Sequence, residues 1–318
     1  MFERTTALLR DDGTQLALRH QPAVADVRPR AILVLLHGLA EHSGRYARFA
    51  DFMAQRGFQV YAHDHRGHGM TQAPDAPLGR FATHDGGLRV VEDVLVVIET
   101  ARERHPALPV FLFGHSMGGL IAWNTVLAAP PGQVRAVAVW NANFADMVTT
   151  GFARSVLKAE RALLGSDVPS RIMPKLTFDA WARAVDNRQS EFDWLSHDSE
   201  QVRRYCEDPL CGFAISVALW QDVFRWMQEG RDRAKIVDLD PALPVHLVGG
   251  GKDPATDNGK AVARFARVLR RSGLRDVTGR IYPALRHETL NERDPHAKGA
   301  MEDFSTWADR VLTVARPA

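Results

Sequence analysis

The 318-residue sequence has only two cysteines, Cys206 and Cys211. That is too few for a disulfide framework and is what a chain of reduced thiols shows. It also lacks any apolar run near the ~18–20 residues needed to span a bilayer. The first residues, Met1-Phe2-Glu3-Arg4, hold no apolar stretch of the kind that heads a secretory signal, so a cytoplasmic chain is expected. Neither charge dominates: 40 Lys and Arg face 38 Asp and Glu. Without clustered Lys and Arg, sustained binding to nucleic acid phosphates is not expected. Repeats of 20–50 residues and low-complexity tracts are absent too, which excludes solenoids and disordered tails. With 45% hydrophobic and 25% charged residues, a globular fold of one large domain or two small ones remains.

What is present alternates. Thr6–Arg10 and Gln15–Arg19 flank an Asp-Gly turn and predict a hairpin. Ala31–Leu36, Phe58–Ala62, Val110–Phe113 and Val134–Trp140 are apolar runs of strand length. Pro244–Val248 and Val277–Tyr282 are two more. Helical spacing falls between them: Tyr46 to Met53, Val90 to Ile98, Gly118–Ala129, Lys260–Arg271 and finally Phe304–Val314. Strands alternating with helices predict an α/β fold, a mostly parallel sheet with helices on both faces. From about Phe144 to Lys235 no buried strand is evident. This stretch lies between two core strands and reads as an insertion at the edge of the sheet. It carries four of the seven tryptophans, Trp181, Trp194, Trp220 and Trp226. At helical spacing these read first as interior residues, and their number suggests a cleft for an acyl chain.

The strongest chemical signal is Gly114-His115-Ser116-Met117-Gly118, directly after an apolar strand and directly before a helix. A serine at so sharp a turn needs neighbours without side chains two residues away on each side, and Gly114 and Gly118 supply them. The helix start then offers the Met117 N–H to a developing oxyanion. A serine nucleophile needs a base. Of 13 histidines, His197, His246, His287 and His296 follow it. His287 sits just after the last strand and is the strongest candidate. Asp253, at the carboxyl end of the preceding strand, is favoured as the acid over Asp146 and Asp257. The second oxyanion donor is expected from the loop after Ala31–Leu36, at the Leu39 N–H, with His37 a structural hydrogen-bonding residue. A metal-dependent alternative, His63-x-His65-x-x-His68, lacks the Asp that usually precedes the third histidine, and no metal or other cofactor is expected.

Three segments carry a family resemblance: His37-Gly-Leu-Ala-Glu-His-Ser-Gly-Arg-Tyr46, Asp64-His-Arg-Gly-His-Gly69 and Gly114-His-Ser-Met-Gly-Gly119. Together they resemble the monoacylglycerol lipase and lysophospholipase group of the α/β-hydrolases. Asp193-Trp-Leu-Ser196, Asp208-Pro-Leu-Cys-Gly-Phe213 and Arg286-His-Glu-Thr-Leu-Asn-Glu292 resemble its bacterial branch. The resemblance implies an α/β-hydrolase core at 1–143 and 236–318 with a helical cap inserted at 144–235. It implies a serine hydrolase of single-acyl lipid esters working through an acyl-enzyme. Ser116 would be the nucleophile, Asp253 the acid, His287 the base, and Leu39 and Met117 the oxyanion donors. Leu39 is bulkier than the residue often found there, which points to a reshaped acyl pocket. The implied partners are a small-molecule ester and, transiently, a membrane surface touched by the cap. A short-chain carboxylesterase, an aminopeptidase of the same fold and a non-catalytic ligand-binding relative are the alternatives.

Overall fold

The computed structural model describes Phe2 and residues 4–313; position 314, where the last helix was expected to end, lies outside them. Eight strands form one sheet: β1 (Thr6–Leu9), β2 (Gln15–Gln21), β3 (Ala31–Leu36), β4 (Phe58–His63), β5 (Val110–His115), β6 (Ala136–Trp140), β7 (Val245–Gly250) and β8 (Val277–Tyr282). Their order is β1-β2-β4-β3-β5-β6-β7-β8, with the β1–β2 and β2–β4 pairings antiparallel and the other five parallel. The apolar runs stop where scoring by hydrophobicity stops, so β4, β5 and β7 reach past them through His63, Gly114-His115 and Gly249-Gly250.

Alternation along these strands divides the core in two. Ile32, Val34 and Leu36 face one side, while Ala31, Leu33 and Leu35 face the other. The second side is covered by α1 (Ala47–Ala54) and by the C-terminal helix. The first is covered by α2 (Gly86–Arg104), α3 (Met117–Ala128) and a helix at Lys260–Arg271. Between β6 and β7 run six helices: α4 (Met147–Leu164), α5 (Met173–Leu176), α6 (Phe178–Arg183), α7 (Ser199–Glu207), α8 (Val217–Glu229) and α9 (Arg233–Val237). β6 and β7 are neighbours, with β8 outside them. The inserted chain therefore leaves and re-enters at the carboxyl and amino ends of two adjacent inner strands, not at a lateral edge. The last two helices are α10 (Lys260–Arg271) and α11 (His296–Thr313). α11 starts eight positions before Phe304, because Ala297, Ala300 and Met301 continue its buried face across Gly299. No helix among the described residues is long and apolar enough to cross a membrane.

Register decides where the loops emerge. Leu36 pairs with Gly114, His115 with Trp140, and Trp140 with Val248. The chain after β3, β5, β6 and β7 is thus released at one level along the sheet's carboxyl edge, where ligands of open parallel sheets gather.

Asp222 makes one of several contacts that fasten the inserted helices to the core. A Cβ on Gly86 would lie 2.8 Å from the Asp222 carboxylate, and one on Gly87 3.2 Å from it. Glycine lets this α8 side chain reach the start of α2. Burial raises the Asp222 carboxyl to about 6, with Arg225 and the Gly87 N–H opposing the rise. A folded-state value above the ordinary 3.8 means that Asp222 favours the fold most below about pH 4 and loses that contribution as pH rises through 6. Asp222→Asn is therefore expected to stabilise the protein by about 1–2 kcal/mol at pH 7 and by nothing near pH 4. Thermal denaturation of both proteins across pH 4–7 checks this; parallel curves would contradict it.

Candidate active site

Ser116 stands between β5 and α3 with φ 55° and ψ −118°, and its N–H donates to the Trp140 carbonyl at 2.8 Å. Space explains the flanking glycines. A Cβ at Gly114 would lie 2.0 Å from the Gly118 carbonyl oxygen. One at Gly118 would lie 2.1 Å from that of Leu36 and 2.5 Å from that of His37. The turn closes only because both positions lack side chains. Met117 opens α3, where no preceding turn supplies its N–H with an acceptor.

Asp253 follows β7 and is fully buried. One carboxylate oxygen accepts from the Ala255 N–H at 3.0 Å; the other accepts from the Thr256 hydroxyl at 2.8 Å and from Asn141 Nδ2 at 3.2 Å. Both lie 3.0 Å from His287 Nδ1. Burial alone would push this carboxyl up. The charge and hydrogen bond of His287, with Thr256 and Asn141, more than offset it and hold the group below its ordinary value. An ionised Asp253 keeps the proton on Nδ1 and leaves Nε2 as the lone-pair nitrogen. The His287 ring packs against Trp194 at 5.0 Å and His115 at 4.8 Å, and its carbonyl is 3.0 Å from His115 Nε2.

A second buried set borders the site. Glu41 accepts from the Gly38 N–H at 2.5 Å and the Tyr46 hydroxyl at 2.8 Å, and pairs with Arg45. Arg45 also grips Glu288 with two bonds of 2.5 and 2.7 Å. Burial opposes the charge of Glu41, yet Arg45 and then His115 hold its carboxyl well below the usual range. Burial likewise lowers His115, but the Glu41 carboxylate 3.7 Å from its Nδ1 wins and the imidazole is raised. Glu41, Arg45 and Glu288 were given no role from sequence. The available signal was Glu41 and Arg45 four apart in a segment otherwise entering the core.

Glu41, His115, Ser116, His287 and Glu288 line one cavity, partly open to solvent. Gly38, Leu39, Ser116, Met117 and His287 line it together with Phe178, Trp181, Trp194, Trp220 and Met227. Three of the four inserted tryptophans thus face the cavity. The fourth, Trp226, packs instead against Phe81, with ring centroids 5.4 Å apart.

The competing residues go elsewhere. Asp146 caps α4 through the Thr149 N–H, and Asp257 pairs with Arg264. His246 is buried beneath the sheet beside Trp140 Nε1, His197 pairs with Glu292, and His296 begins α11. His63, His65 and His68 are all buried, but their ligand atoms do not converge. Among the described residues the group whose atoms do converge is His42, Asp208 and Cys211. Cys206 and Cys211 are both free thiols. His37 is hydrogen-bonded on both ring nitrogens, to the Gly38 carbonyl and the His65 N–H.

Known proteins share this architecture. A family model described as "Serine aminopeptidase, S33" (Hydrolase_4) matches residues 27–294. A monoacylglycerol lipase of Mycolicibacterium smegmatis is 31% identical over 285 residues, covering 89% of this chain and 89% of its own. A human monoglyceride lipase is 26% identical over 315 residues, covering 98% of this chain and 92% of its own. Among solved structures, a thermostable carboxyl esterase from Bacillus coagulans superposes with a TM-score of 0.87 at 22% identity, covering 98% of this chain and 99% of that one. At that identity the likeness is one of fold.

The tight turn yields a prediction. Gly118→Ala drives a methyl group into two backbone carbonyls. It is expected to cost roughly 3 kcal/mol or more and to lower hydrolysis of p-nitrophenyl esters at least about 100-fold. Gly279→Ala on β8, whose added carbon would have its nearest neighbour 4.0 Å away, is the control and is expected to match wild type in Tm and rate.

Proposed function

The chain belongs to the Hydrolase_4 family, has the α/β-hydrolase fold and is a hydrolase of the esterase or lipase type; from this premise we propose that it cleaves carboxylic esters of single-acyl lipids, monoacylglycerols or lysophospholipids, through an acyl-enzyme on Ser116. The observation that carries the reading is a serine at a glycine-flanked strand–helix turn on the same cavity wall as an imidazole held by a buried carboxylate. The apolar, aromatic side chains that line the cavity suit an acyl chain. The relatives named monoacylglycerol lipase and monoglyceride lipase support the same substrate class.

In this mechanism Ser116 Oγ attacks the ester carbonyl while His287 Nε2 takes its proton. The negative oxygen of the tetrahedral intermediate accepts hydrogen bonds from the Leu39 and Met117 N–H groups. Collapse breaks the C–O bond, and the alcohol leaves with the proton returned by His287. Water, deprotonated by His287, then attacks the acyl-enzyme, and the acid is released as Ser116 regains its proton. Asp253 holds the Nδ1–H throughout and stabilises the imidazolium.

The family description also names aminopeptidases. A peptidase of that kind needs a carboxylate on the inserted helices to meet the substrate ammonium. The acidic residues lining the cavity are Glu41 and Glu288, both outside those helices and both paired with Arg45. This favours the ester.

In the same reading, residues 144–235 are a cap over a core of 1–143 and 236–318. Support comes from the six helices between β6 and β7 and from the aromatic side chains they bring to the cavity. The cap also exposes an apolar face: on α4, Met147, Val148, Phe152 and Leu163 are 65–83% exposed. Lys158 and Arg161 on the same helix suit transient contact with a membrane surface.

Fluorophosphonate is expected to label wild type and not Ser116→Ala, with kcat falling about 10⁴–10⁶-fold in the variant. Across p-nitrophenyl esters, rates are expected to rise beyond eight carbons; a maximum at two to four would replace the lipase by a short-chain esterase. In vesicle co-sedimentation, Phe152→Asp is expected to weaken membrane binding several-fold while leaving hydrolysis of a water-soluble ester unchanged. Equal sedimentation of both proteins would remove the membrane role.

A further inference from the structure

The loop from His37 to His42 carries Gly38 and Leu39 into the cavity wall, and it does not hold its own shape. Ala40 stands in the left-handed region at φ 55°, unfavourable for a residue with a side chain, and is fully enclosed. Two sets of bonds impose that shape from opposite sides of Leu39.

The first comes from the core. The His65 N–H donates to His37 Nε2 at 2.9 Å, so that nitrogen holds the lone pair and Nδ1 holds the proton. Burial lowers His37 to about 4, which keeps the ring neutral and this tautomer in place. Nδ1–H then donates to the Gly38 carbonyl at 2.8 Å. The Gly38 carbonyl and the Leu39 N–H belong to one trans peptide and point in opposite directions. Holding the carbonyl toward His37 turns the Leu39 N–H away from it.

The second set comes from the inserted helices. The Ala40 carbonyl accepts from the Tyr205 hydroxyl at 3.0 Å and from the Gly212 N–H at 2.9 Å. Two residues on, His42 Nε2 meets the Asp208 carboxylate at 2.9 Å. All three partners lie on α7 or the turn after it. The Tyr205 ring is held independently of its hydroxyl, by Phe192 at 4.9 Å and by the Arg45 guanidinium at 4.9 Å.

We propose that His37 and Tyr205 are positioning residues that aim the Leu39 N–H at the developing oxyanion, so that the α7 segment is a working part of the oxyanion hole. This rests on the reading of Ser116 as the nucleophile. It goes beyond that reading by assigning the donor's alignment to a side chain on each side of Leu39, one of them from the inserted helices.

The test compares wild type, Ser116→Ala, Tyr205→Phe, His37→Ala and His37→Asn. Each is assayed for kcat and KM on a p-nitrophenyl ester, for Tm, and for inhibition by an alkyl trifluoromethyl ketone, whose adduct with serine carries an oxyanion. Losing a whole donor costs about 10²–10³ in rate, and a misaimed one costs less. Tyr205→Phe is expected to lower kcat about 5–30-fold with KM within about twofold, and to weaken the ketone by the same factor. His37→Ala is expected to do the same more strongly, and His37→Asn, whose amide can replace the Nδ1–H, to recover part of the loss. Tyr205→Phe keeps the ring and its packing, so it decides the matter if the His37 variants fail to fold. Unchanged kcat and ketone affinity in Tyr205→Phe would overturn the proposal. So would a lower Tm with ketone affinity retained, which is the mark of a merely structural bond. A wild type indifferent to the ketone, or a Ser116→Ala as active as wild type, would instead remove the nucleophile reading and this proposal with it.

Discussion

A carboxylate with no exposure has to be ionised by its surroundings or lose its charge, and the surroundings of Asp253 come from three separate pieces of chain. Its oxygens take donors from Ala255 and Thr256 beside it, from Asn141 after β6 and from His287 after β8. Breaking such a buried set on one side leaves an uncompensated charge, which costs several kcal/mol. The loops after β6, β7 and β8 are therefore fixed relative to one another by one anion. The strand register then brings the loops after β3 and β5, with Leu39 and Ser116, to the same level.

Arg45 does for the other half of the site what Asp253 does for the first. Its guanidinium, enclosed between Glu41 and Glu288, joins the loop after β3 to the residue following His287. Two carboxylates share the one cation, and His115 Nδ1 lies 3.7 Å from the Glu41 carboxylate. Ring and carbonyl contacts between His115 and His287 then carry the constraint to the imidazole itself. Both ends of the site are held by buried charge, which requires specific geometry, and not by apolar packing, which tolerates sliding.

This division explains what could be read from the sequence. Apolar runs made the inner strands legible, and β8 and α10 were read with their observed limits. Gly114 and Gly118 were legible because a turn without room for Cβ leaves a fixed spacing in the chain. Asp253 and His287 were picked out by chain order at the ends of strands. The Glu41–Arg45–Glu288 set was not legible as a unit: Glu288 lies 243 positions from Arg45, and no local pattern announces that two distant charges share a buried site. Nor was the fate of the tryptophans. Helical spacing says that Trp220 and Trp226 are buried, but not that one meets a cavity and the other the core. The start of α11 was missed for a simpler reason, a glycine on its exposed side that interrupts an otherwise continuous stripe.

The inserted helices divide into two kinds by what holds them. α4 exposes large apolar side chains along its length. Other segments are bonded to the loop that carries His287: Trp194 and Leu195 carbonyls accept from the His287 and Glu288 N–H groups, and Arg286 reaches the carbonyls of Asp193 and Ser196. Tyr205 and Gly212 hold Ala40, and Asp222 presses α8 onto the start of α2. A cap that moved as one body would break every one of these bonds together, including those that shape the loop of Leu39. α4 and the short helices after it send few polar bonds to the core. One part of the insertion is thus tied by hydrogen bonds to the segments around His287 and Ala40, and another part, α4, carries exposed apolar side chains.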